Sequence, residues 1–204
     1  TEGLGPEQAG LRSLKNRSLE YLAMTDDPAA LELAARQRRE AKNMTDEIGA
    51  LQALNRTTSP VRARELAGFY EKWKSESLVM NKWLMMQSTA PLPSALEEVK
   101  RLMSDPVFDK NNPNKVSSLI GGLTRANLVR FHDRSGSGYA FLADQVIEID
   151  TRNPQLAARL ATGFNQWRTL DEQRQGLVRT ELKRMLAQPG LSSNTFEIVT
   201  KALG

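Results

Sequence analysis

The side chains capable of catalysis or metal binding are few in this sequence. Its 204 residues include one histidine, His132, and no cysteine. A single histidine cannot supply a two-histidine zinc site, and without cysteine there is neither a thiolate nucleophile nor a cysteine-ligated metal. A Ser-His-Asp triad would need His132 with Asp133 and Ser135, but triads are assembled from distant segments of a chain. We therefore predict no catalytic and no metal-binding residue, and interpret His132 as a helix-terminal histidine favoured by the helix dipole.

Glycine-containing segments are the next candidates, because phosphate-binding loops are rich in glycine. The segment Gly136-Ser137-Gly138 precedes a predicted helix, and helix N-termini bind phosphate. The sequence has no Gly-x-x-x-x-Gly-Lys-Ser/Thr pattern and no strand ahead of this segment. We interpret it as a turn containing glycines with positive φ, and Gly121-Gly122 as a site of close helix packing or a helix break.

The charge pattern does not indicate a nucleic-acid binder. The chain has 28 basic and 24 acidic residues, a formal charge of +4. The basic run Arg36, Arg38 and Arg39 has Glu32 and Glu40 beside it at helical spacing. Because acids at this spacing pair with the arginines, the run predicts a solvated helix face rather than a track for phosphates.

One polar pattern could serve binding. Asn153 precedes Pro154, which predicts a helix N-cap followed by a proline at the first helical position. Gln155 and Arg159 are four residues apart and so share one face of that helix. An amide that donates and accepts and a planar cation could together meet a polar ligand or a partner surface. From spacing alone, a solvated first turn without a binding role remains the alternative.

The elements that position these residues are predicted to be helical throughout. Apolar residues recur at helical spacing, as in Tyr139, Leu142, Val146 and Ile149, and no convincing run of alternating β-branched residues occurs. Aromatic residues at this spacing are interpreted as core rather than as a binding platform. They are Phe69, Tyr70, Trp73, Trp83 and Trp167.

Helix starts are marked by cap residues before proline at Asp27-Pro28, Ser59-Pro60, Asn112-Pro113 and Asn153-Pro154. The predicted helices lie near 6–23, 28–41, 45–55, 59–76, 78–89, 93–103, 113–123, 125–132, 138–151, 154–165, 171–187 and 193–203. Short connections favour antiparallel neighbours, so we predict an all-α fold, an α-solenoid of stacked antiparallel helix pairs of the ARM/HEAT kind, in a single domain over 1–204.

No stretch is apolar for long enough to cross a membrane, and no basic-then-apolar leader is seen. The chain begins at Thr1 rather than Met, so we expect a processed or excised piece. We predict a cytoplasmic location for the protein.

Several stretches resemble the C-terminal helical domain of bacterial aminopeptidase N, a zinc-dependent gluzincin. They occur in family order over nearly the whole chain, and as a set they are specific. The similar stretches are EAKNMTD (40–46), YEKW (70–73), LVMNKW (78–83), NPNKV (112–116), SLIG (118–121), GSGYAFL (136–142), RNPQ (152–155), RL (159–160) and TKAL (200–203).

This resemblance implies a superhelical, non-catalytic domain that closes over the catalytic domain of the same polypeptide. In the family it walls the internal substrate cavity and controls peptide access, while zinc and the catalytic motifs lie upstream. The chain alone would then be no enzyme and hold no cofactor. By the same resemblance Asn153, Gln155 and Arg159 face the cavity near substrate entry. One departure is Ser117, where close relatives carry a cavity arginine.

Two other classes of function are weighed against this one. A stand-alone helical-repeat scaffold would bind a protein partner in its concave face. A basic helical nucleic-acid binder is the weaker third class, and we expect neither a nucleic-acid nor a membrane partner. We predict instead a parent that is a zinc aminopeptidase acting on peptides.

Overall fold

The computed structural model describes Gly3 and residues 5–204, and all regular structure in that part of the chain is helical. The α-helices are α1 (Pro6–Ala23), α2 (Pro28–Glu40), α3 (Met44–Leu54), α4 (Pro60–Trp73), α5 (Ser77–Ser88), α6 (Ala95–Leu102), α7 (Pro113–Gly121), α8 (Leu128–Phe131), α9 (Ser137–Asp150), α10 (Pro154–Ala161), α11 (Glu172–Leu186) and α12 (Ser193–Leu203). A π-helical segment, Gly122–Ala126, continues α7, and 3₁₀ turns cover Thr162–Phe164 and Trp167–Thr169.

The helices begin where the cap residues predict. Asp27 Oδ1 accepts a hydrogen bond from the backbone N–H of Ala29 at 2.8 Å, and Asn112 Oδ1 accepts one from Asn114 at 3.0 Å. Ser59 caps α4 in the same way. These side chains pair backbone N–H groups that a first helical turn leaves without partners, which confirms the predicted starts.

Two predicted helices differ from the structure. The stretch predicted as a helix over 125–132 is part of the π-helical segment followed by the short helix α8, and the one over 154–165 ends its α-helical part at Ala161. In both places the residues stay helical, but their hydrogen bonds change from the i+4 pattern to i+5 or i+3.

The chain forms two compact units. The first comprises residues up to Met86 with Ala90–Leu92, and the second comprises Gln87–Thr89 with Pro93–Gly204. In the first unit α1, α2 and α3 pack on one another, and α4 packs against α2 and α3. Their shared core consists of Leu19, Ala23, Leu31, Ala34, Ala50, Ala53 and Leu54.

An ion network centred on a buried glutamate joins α2 and α4 of the first unit. The side chain of Glu65 is 1% exposed and accepts hydrogen bonds from Arg38 Nε and Arg39 Nη1, each at 2.7 Å. Arg39 also pairs with Glu32 at 2.5 Å. The prediction of a wholly solvated basic face is therefore wrong for Arg38, whose side chain is 11% exposed. Its partner Glu65 lies on α4, and helical spacing within α2 gives no information on a contact with another helix.

The second unit is organised around α9 and α10. Helix α10 packs against α7, α9 and α12, and α11 packs against α9 and α12. The predicted stripe Tyr139, Leu142, Val146 and Ile149 is buried, as expected. Phe69, Trp83 and Trp167 are buried as well, which confirms the interpretation as core for these three. Tyr70 and Trp73 are only partly buried.

The glycines near the start of α9 have two different roles. Gly136 has φ +73°, so it occupies the left-handed region as the turn interpretation requires. Gly138 lies inside the helix, where a Cβ would collide with the carbonyl group of Phe131. The expectation of positive φ is thus confirmed for Gly136 and wrong for Gly138, which instead permits close packing.

None of the helices among the described residues combines the length and the apolar character needed to cross a membrane.

Candidate functional site

The start of α10 is rigidly built. Asn153 Oδ1 accepts a hydrogen bond from the backbone N–H of Leu156 at 3.1 Å, and its carbonyl accepts one from Ala157 at 3.0 Å. Pro154 occupies the first helical position. The predicted N-cap is confirmed, and it holds the turn that carries Gln155.

Helix α10 buries one face and exposes the other. Leu156, Ala157 and Leu160 point into the core of the second unit, whereas Gln155 and Arg159 are exposed. Neither exposed side chain makes a hydrogen bond or an ion pair with any residue that the structure describes. The two predicted site residues therefore share a solvent-facing side of a well-anchored helix.

The π-helical segment follows α7, which packs against α10. The carbonyl of Gly122 accepts a hydrogen bond from Asn127 N–H at 3.1 Å, the i+5 pattern that widens the helix. Gly122 approaches Ser88 so closely that a Cβ there would lie 3.2 Å from Ser88 Cβ. Asn127 Nδ2 donates to the Ser88 carbonyl at 3.0 Å. The interpretation of Gly121-Gly122 as a place of close packing is confirmed at Gly122.

Arg125 folds back onto this helix. A Cβ on Gly121 would lie 3.2 Å from Arg125 Cζ and 3.3 Å from its Nε, so the guanidinium occupies the space that a side chain at position 121 would take. Loss of hydration lowers the pKa of Arg125, and the positive charge of Arg159 lowers that pKa further. No acidic group among the described residues pairs with it.

The two chain segments that carry Arg125 and Arg159 contact each other at Thr124 and Gly163. Gly163 follows Arg159 by about one helical turn, and a Cβ there would lie 3.8 Å from Cβ of Thr124, the residue before Arg125. The candidate site thus consists of Gln155, Arg159 and Arg125. Sequence reasoning missed Arg125, although a glycine four residues before an arginine was a signal that the long side chain could lie back over the helix.

Among the described residues, the ring of His132 is hydrogen-bonded to Tyr139 and to neither Asp133 nor Ser135. Its Nδ1 lies 3.0 Å from the Tyr139 hydroxyl, while Asp133 Oδ1 accepts a hydrogen bond from the backbone N–H of Ser135. Its position directly after α8 is as predicted. The dipole at the end of a helix favours the charged form of a histidine. In His132 the net effect is the opposite, because burial and, next, the positive charge of Arg174 lower its pKa.

The described residues provide no group of three or more His, Cys, Asp or Glu side chains that could hold a metal ion. Ser117, the departure noted in the sequence, is half-buried on α7.

Residues 2–204 match a family model described as a domain of unknown function (DUF3458_C) with ARM repeats. The chain belongs to this family. Membership in the ARM-repeat family and the helical structure together confirm the predicted all-α, ARM-like fold class.

Three proteins named aminopeptidase N are similar in sequence to the chain. The chain is 40% identical over 198 residues to that of Caulobacter vibrioides, 39% identical over 197 residues to that of Haemophilus influenzae, and 36% identical over 197 residues to that of Escherichia coli. The alignments cover 96%, 97% and 97% of this chain and 23%, 22% and 23% of those proteins, in their C-terminal region. The chain therefore spans about a quarter of their length, and the predicted resemblance is confirmed.

A solved structure agrees with these relatives. The crystal structure of Legionella pneumophila aminopeptidase A, in complex with aspartic acid, matches 99% of this chain with a TM-score of 0.92 and 34% sequence identity. The match covers 24% of that chain.

Proposed function

We propose that this chain is the non-catalytic C-terminal domain of a zinc-dependent aminopeptidase that removes N-terminal residues from peptides in the cytoplasm. In this proposal residues 1–204 act as one domain, whose partner is the catalytic domain of the same polypeptide. The zinc and the catalytic groups belong to that other domain. The observation that carries the proposal is the alignment of almost the whole chain with the C-terminal region of three aminopeptidase N sequences.

We infer that the domain walls the substrate cavity and controls access of peptides. The exposed, unpaired side chains of Gln155 and Arg159 support this role, because both are held on the first turns of an anchored helix and are free to meet a ligand. A rigid turn of this kind can position polar groups toward a peptide without rearranging during catalysis.

The test is a comparison of the full-length parent polypeptide with this chain alone. The parent should contain an H-E-x-x-H motif upstream, bind zinc and hydrolyse alanine p-nitroanilide, since a zinc site requires protein ligands and an activated water. The isolated chain should neither bind zinc tightly nor hydrolyse the substrate.

A parent without the motif and without activity would contradict the proposal, and a helical-repeat scaffold that binds a protein partner would then take its place. Stoichiometric, tightly bound zinc in the isolated chain would contradict the assignment of the metal to the other domain.

A further inference from the structure

We propose that the ring of His132 is a pH-sensitive latch: in its neutral form it holds the turn between α8 and α9 against α11, and on protonation it lets α11 loosen. This device is independent of the proposed aminopeptidase function, because no substrate takes part in it. All three helices belong to the second unit.

Two contacts hold α11 against the turn that follows α8. Arg174 Nε, in the first turn of α11, donates a hydrogen bond to the carbonyl oxygen of His132 at 2.7 Å. Leu177 lies so close to Gly136 that a Cβ on the glycine would be 2.9 Å from Leu177 Cδ1. A displacement of His132 would therefore act directly on the attachment of α11.

The half-buried ring of His132 is fixed by a buried hydroxyl group. Its Nδ1 lies 3.0 Å from the hydroxyl oxygen of Tyr139, which has no other hydrogen-bond partner among the described residues. Burial raises the pKa of Tyr139 to about 12, so this hydroxyl keeps its proton. The arrangement that satisfies the proton is donation to Nδ1 of a neutral ring, with the ring's own proton on Nε2.

Protonation of His132 breaks this arrangement. An imidazolium carries a proton on both nitrogens, so Nδ1 changes from an acceptor to a donor and the Tyr139 hydroxyl has to accept. The hydroxyl proton is then buried without an acceptor among the described residues, which costs the full desolvation of that group. The charged ring is therefore driven away from Tyr139, and the turn that carries it moves with it.

The charges around the turn also disfavour an imidazolium. Burial lowers the pKa of His132, and the positive charge of Arg174 lowers it further. The nearby carboxylates are already engaged, Asp171 with Arg174 and Asp133 with the backbone N–H of Ser135. Besides His132, the charged and titratable groups of the π-helical segment, α8, the turn after it and the first turns of α9 and α11 are Arg125, Arg130, Asp133, Arg134, Tyr139, Asp171, Glu172 and Arg174.

Acid therefore weakens the latch. The unfolded chain, in which the histidine has its ordinary pKa of 6.5, binds the proton more readily than the folded chain. The latch is fully closed above pH 6.5 and is lost as the pH falls through the lower, folded-state pKa. Each unit by which the folded-state pKa lies below 6.5 corresponds to an increase of about tenfold in the equilibrium constant for opening.

The experiment combines NMR titration with hydrogen exchange of the 204-residue chain. His132 is the one histidine in the sequence, so its ring Hε1 resonance reports its pKa directly, and we expect a pKa below 6.5. Amide exchange of α11, corrected for the intrinsic effect of pH, should quicken between about pH 7 and pH 5 by about tenfold per unit of that shift. Exchange of α3, in the first unit, is the internal control and should not change.

Two variants separate the latch from simple burial. In His132→Asn an amide oxygen can still accept from Tyr139 but does not titrate, so exchange of α11 should not depend on pH over this range. Tyr139→Phe removes the hydroxyl proton that needs an acceptor, so the pKa of His132 should rise toward 6.5.

A pKa of His132 at or above 6.5 would overturn the latch. The same conclusion would follow if exchange of α11 had equal pH dependence in the unaltered chain and in His132→Asn, or if the pKa of His132 were unchanged in Tyr139→Phe. Should His132→Asn fail to fold, the titrations of the unaltered chain and of Tyr139→Phe still decide.

Discussion

The carboxylate of Asp150 accepts a hydrogen bond from the hydroxyl of Ser192 at 2.5 Å, across 42 residues of sequence. The same carboxylate accepts a bond from the Ser192 backbone N–H at 2.7 Å and one from the hydroxyl of Thr195. Ser192 Oγ in turn accepts from Thr195 N–H as the N-cap of α12. One buried acid at the end of α9 therefore fixes the start of the last helix, where the dipole favours negative charge.

Replacing Asp150 with Ala should lower the free energy of unfolding by about 2–3 kcal/mol, because several hydrogen bonds to a charged group are lost together. Urea-induced unfolding followed by circular dichroism measures the change. Asp144→Ala is the control, since its carboxylate is 60% exposed and pairs only at the surface with Arg184. Equal effects of the two substitutions would show that the Asp150 contacts contribute little.

Stability should depend on pH through Glu65. Burial raises the pKa of this carboxyl, but hydrogen bonds from Arg64 and Arg38 outweigh it and hold the pKa below the ordinary value of 4.5. Since the folded state binds its proton less readily than the unfolded chain, the stabilisation is fully present above pH 4.5 and is lost as the pH falls through the lower, folded-state pKa.

Glu65→Gln should therefore reduce the free energy of unfolding at pH 7 by about 3 kcal/mol, because it removes the nearer of the two carboxylates that pair with Arg38, the other being Glu47 at 3.8 Å. It should also flatten the loss of stability as the pH falls below 4.5, because the native carboxylate is no longer there to be titrated. Denaturant unfolding at a series of pH values tests both points. Glu97→Gln, which alters an exposed pair with Lys100, should leave the pH dependence unchanged.

In the full-length enzyme, Arg159→Ala should mainly raise KM for peptides of several residues and leave kcat nearly unchanged. A contact made equally in the ground and transition states contributes to binding and not to the chemical step. Steady-state kinetics measures this, with Arg134→Ala as a control at an exposed arginine outside the site. A hundredfold fall in kcat at constant KM would place the residue in the chemical step, and no change in either constant would support a solvated turn.

The contact between Gly122 and Ser88 should make position 122 intolerant of a side chain. Gly122→Ala should destabilise the protein by about 1–3 kcal/mol through overpacking, because its Cβ would lie 3.2 Å from Ser88 Cβ. Gly176→Ala is the matched control: it lies in α11 with open space around it, and alanine there should stabilise the helix by about 0.5–1 kcal/mol. Thermal unfolding of both variants shows whether each substitution lowers or raises the melting temperature.

Sequence reasoning succeeded where the interactions are local. Caps such as those of Asp27 and Asn153 act within three residues, and the stripe that includes Tyr139 is visible in helical spacing alone. The helical fold and most helix bounds follow from such signals.

The missed features depend on contacts between separate helices. Arg38 was expected to be solvated, because its buried partner Glu65 lies 27 residues away. Arg125 was not recognised as a candidate, because the charge that lowers its pKa, Arg159, lies on another helix and the i+5 segment alters the orientation of Arg125. Helical spacing carries no information on which faces of different helices meet, so the pairing of these groups emerges only from the packed structure.

The π-helical segment also constrains how this stretch of chain can change in length. An i+5 turn accommodates one more residue than the α-helical turn it replaces, so it behaves as an insertion absorbed within a continuous helix. Deleting one residue between Gly122 and Arg125 would let this turn return to the i+4 pattern, so the residues after Ala126 would keep their orientation relative to α7. Arg125 itself would then follow Gly121 by three residues instead of four, and its guanidinium would lose its place over that glycine. A single-residue deletion here would thus move one cation while the helical content of the protein stayed almost the same.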